Sequence, residues 1–235
     1  MKQLLFILML FPCITFSQTK NKIEGIGIFK IGIRTNKLID TLQKQTNILC
    51  KTVSIGEFVS NRNKQSHTTS LILYIDIPSS SDDAIHKIMA KSIFRDTSVS
   101  LIFIDYINIR GVEIHNIQYY FFHDSLYSIQ AQGDPELTDA FSIKYGKPAI
   151  EKTIKKITCV SKLAGEYNLE EATYFSKWGN SIKNIDAYSI ASRYYDDNCD
   201  EQLLSTFNIE NSKIKDIVRN ISIDKPSNKY EIEKF

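Results

Sequence analysis

The side chains best suited to chemistry in this chain are few and scattered. There are four histidines, His67, His86, His115 and His123. A zinc site needs three or four convergent imidazole, thiolate or carboxylate ligands. His115 and His123 can meet only through folding, and no cysteine or carboxylate joins them at ligand spacing, so solvated or hydrogen-bonded histidines are expected and no metal. The adjacent carboxylates Asp82-Asp83 and Asp196-Asp197 could form an acid/base pair only if they faced one another. Neighbours on a helix point about 100° apart, so they read as helix-terminal and loop charge. Asp196, Asp197, Asp200 and Glu201 gather hard oxygen ligands in DDNCDE, as calcium prefers, but without the spacing of a calcium loop. Gly25-x-Gly27 with Gly32 lacks the preceding buried strand that a nucleotide-binding glycine loop requires. No phosphate-binding loop, Gly-x-Ser-x-Gly elbow or His-Glu-x-x-His is present, and no cofactor is implied.

Cysteine chemistry depends on compartment. The chain opens Met-Lys and runs LLFILMLF over residues 4–11. One positive charge ahead of a short apolar run is a signal-peptide pattern, too short to span a bilayer. Thr15 and Ser17 supply small residues for a cut before Gln18, which makes 1–17 the signal peptide. Leu10-Phe11-Pro12-Cys13 allows lipoprotein processing at Cys13 as a rival, although Phe and Pro stand where small residues are wanted. An exported chain, periplasmic or secreted, can hold disulfides. Cys159 and Cys199 both lie in the strand-rich C-terminal half and form the expected bridge. Cys50 is then unpaired and reads as a small buried apolar side chain, the alternative being a reactive thiol that a neighbouring base could activate.

Tyrosine and phenylalanine are abundant, 12 and 13 of 235 residues. In QYYFFHDSLYSIQAQ, Tyr119, Phe121 and Tyr127 are expected on one face of a hairpin and Tyr120 and Phe122 on the other. One face should be core. The other could bind a sugar, a peptide or a protein, which makes Tyr119, Tyr120, Phe122 and Tyr127 the candidate binding residues. Catalytic residues are not identified.

These residues need positioning elements. Thr35 reads as an N-cap for a helix over 36–46, with Leu38, Ile39 and Leu42 at helical spacing. Residues 52–60 and SLILYIDI suit strands joined as a long hairpin around NRNKQSH. A short helix is expected over 82–92. SVSLIFIDYINI and VEIHNIQYYFF read as strands around an Arg110-Gly111 turn, and LYSIQAQ returns after His123-Asp124. Asp134 and Pro135 open a helix that Gly146 and Pro148 close. EATYFSKW, KNIDAYSIASRYY and LLSTFNIE form a three-stranded meander, and 211–223 fits either a strand or a helix. The fold class is therefore α+β: mainly antiparallel sheet built of hairpins and meanders, with two or three short helices packed on one face. Residues 18–224 form one domain, with a subdomain break near 146–156 as the alternative, and 225–235 is a flexible tail.

FKIGIRTNKLIDTL resembles the opening of small outer-membrane assembly lipoproteins and of β-lactamase-inhibitor-like domains, carried by Gly32, Ile33, Thr35, Leu38, Ile39 and Leu42. Arg34 is inserted before the threonine, and the usual Gly-x-Pro after the helix is missing. The pattern over 117–148 is similar to that of many uncharacterised exported proteins of Gram-negative bacteria. Both resemblances imply an envelope protein that binds other proteins, and neither carries a catalytic residue.

Formal net charge is +2, and removal of Lys2 lowers it by one. Such balance gives no electrostatic case for nucleic acid. No run after the leader is long and apolar enough for a membrane span. The expected function is non-enzymatic binding or structure at the cell envelope, with another envelope protein as partner. The alternatives are a secreted hydrolase whose site assembles from scattered residues and a carrier of a sugar or small ligand.

Overall fold

The structure is a computed structural model describing residues 22–46, 50–54, 72–76, 98–161, 165–179 and 184–224. A two-residue hairpin, β1 (Gly25–Ile26) and β2 (Phe29–Lys30), leads to helix α1 (Thr35–Thr46). Gly27 turns this hairpin at φ +59°, and a Cβ there would press on Ile109 Cγ2 at 2.9 Å, so only glycine meets both demands. Strands β3 (Cys50–Ser54), β4 (Ile72–Asp76), β5 (Val99–Ile109), β6 (Val112–Phe122) and β7 (Ser125–Gln132) precede α2 (Pro135–Tyr145). Then come β8 (Ala149–Ser161), β9 (Gly165–Trp178), β10 (Ile185–Tyr195), β11 (Glu201–Asn211) and α3 (Ser212–Asp224).

One sheet of nine strands runs β3-β4-β5-β6-β7-β11-β10-β9-β8. The fold is thus mainly antiparallel sheet with three helices among the described residues. Arg110-Gly111 and His123-Asp124 turn the β5–β6 and β6–β7 hairpins, all four with positive φ, the geometry that matches strand twist in two-residue turns. β7 pairs with β11, which joins the N-terminal hairpins to the C-terminal meander.

Four expectations change. β3 and β4 pair in parallel, not as a hairpin. Parallel neighbours need a crossover of a dozen or more residues, and residues 55–71 are long enough to supply it. The expected three-stranded meander has four strands, because β8 precedes it and β9 starts at Gly165. The ambiguous 211–223 segment is α3, started where Asn211 Oδ1 accepts the Ile214 N–H at 3.1 Å. Thr35 is the first helical residue and not the cap, since the Arg34 carbonyl already accepts the Leu38 N–H at 2.9 Å. The helix expected over 82–92 lies outside the described residues.

Leu38 and Leu42 of α1 and Leu137, Phe141 and Tyr145 of α2 enter one core with Ile102, Ile104, Ile129, Trp178, Phe207 and Ile209. α3 does not join that face. Lys215 Nζ donates to both carboxylate oxygens of Glu210 at 2.7 Å and to the Tyr188 hydroxyl at 3.3 Å. Glu210 follows core residue Ile209 and Tyr188 follows core residue Ala187. Strand side chains alternate, so α3 packs on the opposite face, a departure from the one-sided arrangement expected. The disulfide Cys159–Cys199 is formed, with Cα atoms 6.0 Å apart.

Candidate functional site

The β5–β6 hairpin is regular except at its middle. Ile104 faces Ile117 and Tyr106 faces His115, but Asp105 and Asn116 between them are not paired. Asn116 takes the left-handed conformation, φ +52°, which asparagine tolerates better than most residues. The core spacing slips here in both strands, from Ile104 to Ile107 and from Ile114 to Ile117. A two-residue period becomes three, so polar side chains gather at the twist.

A cavity of about 590 Å³ opens beside it. Asp105, Glu113, His115 and Asn116 line it from the hairpin, and Gln132, Asp134 and Glu136 from the end of β7 and the start of α2. The groups are mutually oriented. Asn116 Nδ2 donates to Gln132 Oε1 at 2.9 Å, and Gln132 Nε2 donates to Asp134 Oδ1 at 3.2 Å. Tyr106 donates its hydroxyl to Glu113 at 3.0 Å, and that hydrogen bond holds the phenol above its ordinary pKa. The Tyr106 ring packs on His115, centroids 5.3 Å apart. Asp134 was expected to cap α2. It occupies the cap position in extended geometry, yet its side chain makes no capping hydrogen bond. The carboxylate instead serves Gln132, and its Oδ2 is buried without a partner among the described residues. Carboxylates and amides around one cavity suit a ligand offering positive charge or several hydroxyl donors. Among the described residues no three His, Cys, Asp or Glu side chains gather at metal-holding distance.

Gly133 fixes this corner. Its N–H donates to the Ser205 carbonyl at 3.0 Å, and Ser205 Oγ donates to the Gly133 carbonyl at 2.5 Å. A Cβ on Gly133 would collide with Ser205 Oγ and lie 2.9 Å from the Thr206 backbone. Gly133→Ala is expected to cost about 2–3 kcal/mol, in the range of overpacking. Urea denaturation checks this, and Ser205→Ala/Gly133→Ala should recover only part of the loss because the Thr206 backbone still intrudes.

The four candidate aromatics divide differently from expectation. Tyr119 is 1% exposed in the core and meets Phe29 edge-on at 5.4 Å. Burial pushes its phenol far above the usual range. Tyr127 does not share its face. The register shifts between Tyr120 and Phe121, so Leu126 and Ile129 both point to the core and Tyr127 lies beside Tyr120, ring centroids 6.3 Å apart. Tyr127 is 7% exposed, which leaves Tyr120 and Phe122 as the partly exposed members. Tyr120 donates its hydroxyl to Gln118 at 2.6 Å. The bulge inverts Tyr127, and no spacing rule in the sequence announces it.

His67, His86 and Asp82-Asp83 lie outside the described residues, and Cys50 begins β3. His123 is a turn residue against Phe122 at 4.2 Å, remote in pairing from His115. Asp196 organises its own loop. Its Oδ1 accepts the N–H groups of Asn198 and Asp200, both at 3.0 Å, and its Oδ2 accepts from Gln202 at 3.0 Å. The Asp200 N–H foremost holds this carboxyl below its ordinary pKa. A depressed carboxylate stabilises the folded state above its unfolded pKa near 3.9 and loses that contribution as pH falls through the folded value. NMR titration should place the Asp196 midpoint below the ordinary aspartate value of about 3.9, and the Asn198 and Asp200 amide shifts should follow the same curve.

The segment Gly32 to Thr35 docks onto the start of β7. The Gly32 N–H donates to the Leu126 carbonyl at 2.7 Å, and the Leu126 N–H donates to the Ile33 carbonyl at 2.9 Å. The chain matches no protein-family model, no curated protein and no solved structure. The site therefore stands on its geometry.

Proposed function

We propose that this chain is an exported protein of the cell envelope, periplasmic or secreted, that acts by binding, and that its ligand or partner group sits in the cavity at the β5–β6 twist. The single observation that carries the binding reading is the relay Asn116–Gln132–Asp134, which presents oriented polar groups to about 590 Å³ of open volume. Export is supported by the apolar leader over residues 4–11 and by the Cys159–Cys199 disulfide, a bond at home outside the reducing cytosol. Among the described residues no helix is long and apolar enough to cross a membrane. Another envelope protein that inserts a lysine, an arginine or a chain terminus would find four carboxylates there. A second reading, a carrier of a sugar or other small polar ligand, is favoured by the amides of Asn116 and Gln132, which can both donate and accept.

The test is affinity capture of the tagged chain from an envelope fraction, run beside Asp134→Asn and Gln132→Ala. Loss of a charge-assisted hydrogen bond costs about 1.5–3 kcal/mol, so retention should fall at least about tenfold with Asp134→Asn. A reproducible partner protein supports the first reading, and a small molecule released on denaturation supports the second. Absence of both, or capture insensitive to both substitutions, contradicts the proposal.

A further inference from the structure

Among the described residues β8 ends the sheet, paired on one side only, with β9. Its residues from Ala149 to Lys156 are all exposed. An edge strand of this length offers a row of backbone donors and acceptors to another strand. The sheet face beside it carries exposed apolar side chains. Ile154, Ala172, Arg193 and Leu203 form one row across four strands, and Ile150 and Leu203 are 64% and 77% exposed.

We infer that β8 pairs antiparallel with β8 of a second copy of this chain, with Thr153 on the two-fold axis. The charges of the strand select that register. A two-fold axis normal to the sheet sets same-face residues opposite one another. With Thr153 on the axis, Glu151 lies opposite the second copy's Lys155, twice over by symmetry. Lys155 already meets Glu171 of β9 at 3.3 Å, so a row of alternating charge, Glu171–Lys155–Glu151, crosses the junction. On the other face Ile154 lies opposite Lys152 and diagonal to its own symmetry mate, within reach for cross-strand contact. Moving the axis to Lys152 sets that lysine opposite itself. Moving it to Ile154 sets Lys152 opposite Lys156. Like charges directly opposite are destabilising, so the lysines that discourage random edge pairing leave the Thr153 register favoured. This inference is independent of the cavity.

The test uses the full chain with Cys13→Ser and Cys50→Ser, so that the native disulfide is the sole remaining cysteine pair. Thr153→Cys added to this background should form an intermolecular disulfide under mild oxidation at least about tenfold faster than Lys156→Cys, whose symmetry mate lies six residues away, roughly 20 Å at strand rise. Sedimentation of the unmodified chain should show a concentration-dependent dimer. Glu151→Lys should weaken it about tenfold, two attractive pairs becoming repulsive, and Glu151→Lys with Lys155→Glu should restore it. A monomer at every soluble concentration, equal cross-linking at the two positions, or failure of the double exchange to restore association overturns the inference.

Discussion

Trp178→Ala is expected to lower the unfolding free energy by about 3–5 kcal/mol, the range for deleting a large buried aromatic. Trp178 is 1% exposed at the end of β9. Its ring meets Phe141 of α2 at 5.2 Å and Phe207 of β11 at 5.5 Å, and Phe141 and Phe207 meet at 4.9 Å. Three elements therefore share one aromatic contact, and the cavity left by alanine cannot close without moving all of them. A loss of this size is a large fraction of the 5–15 kcal/mol that holds a typical domain. Trp178→Phe should cost much less, because it keeps a ring in place and removes an indole N–H that has no partner among the described residues. Circular dichroism in urea is the proper measurement, since Trp178 is the one tryptophan of the chain and its fluorescence disappears with it. A loss of unfolding free energy below about 1 kcal/mol for Trp178→Ala would show that this cluster does not anchor α2 to the sheet.

Loss of the disulfide is the second large effect. Cys159 lies near the far end of edge strand β8, and Cys199 sits in the β10–β11 loop at φ +65°. The bridge thus ties together parts of the meander that share no backbone ladder. Its closed loop spans 40 residues, for which the chain-entropy model gives about 4 kcal/mol. Cys159→Ser/Cys199→Ser should lose about 2–5 kcal/mol, and dithiothreitol should destabilise the parent chain by the same amount while leaving the double variant unchanged. Equal midpoints with and without reductant in the parent chain would mean that the Asp196 loop holds itself without the bridge.

Parts of this molecule are legible in its residues for clear physical reasons. The β5–β6–β7 hairpins show as runs of β-formers divided by polar turn pairs, and α2 shows as Asp-Pro at one end and Gly-x-Pro at the other. The disulfide follows from the compartment that the leader pattern implies and from the position of two cysteines in strand-rich sequence. β8 is obscure because an exposed edge strand has no buried side to impose an alternating pattern. AIEKTIKK mixes isoleucine with lysine and resembles a loop or a surface helix as much as a strand. The parallel pairing of β3 with β4 is equally hidden, since strand direction is set by a connection whose length alone is visible.

The candidate site was readable only in hindsight. Asp105 within SLIFIDYINI and His115-Asn116 within VEIHNIQ interrupt apolar runs at matching distances from the Arg110-Gly111 turn, and paired interruptions in facing strands mark a shared distortion. Gln132 and Asp134 carry no such mark, because Asp134 before Pro135 has a sufficient structural explanation as a helix cap. The partner that reveals its other role, Asn116, is brought to Gln132 by the β6–β7 pairing. The aromatic hairpin misled in one respect, since a single bulge carried Tyr127 to the face of Tyr120.

The proposed role requires that this chain be exported and oxidised. That requirement is tested most directly by the intact mass of the chain recovered from the envelope fraction of an exporting cell. The expected species begins at Gln18 and is lighter by two hydrogens than its fully reduced form, with Cys159 and Cys199 linked. A species beginning at a lipid-modified Cys13 would keep export and move the cleavage site. A full-length chain in the cytosol, still starting at Met1 and carrying free thiols, would contradict it.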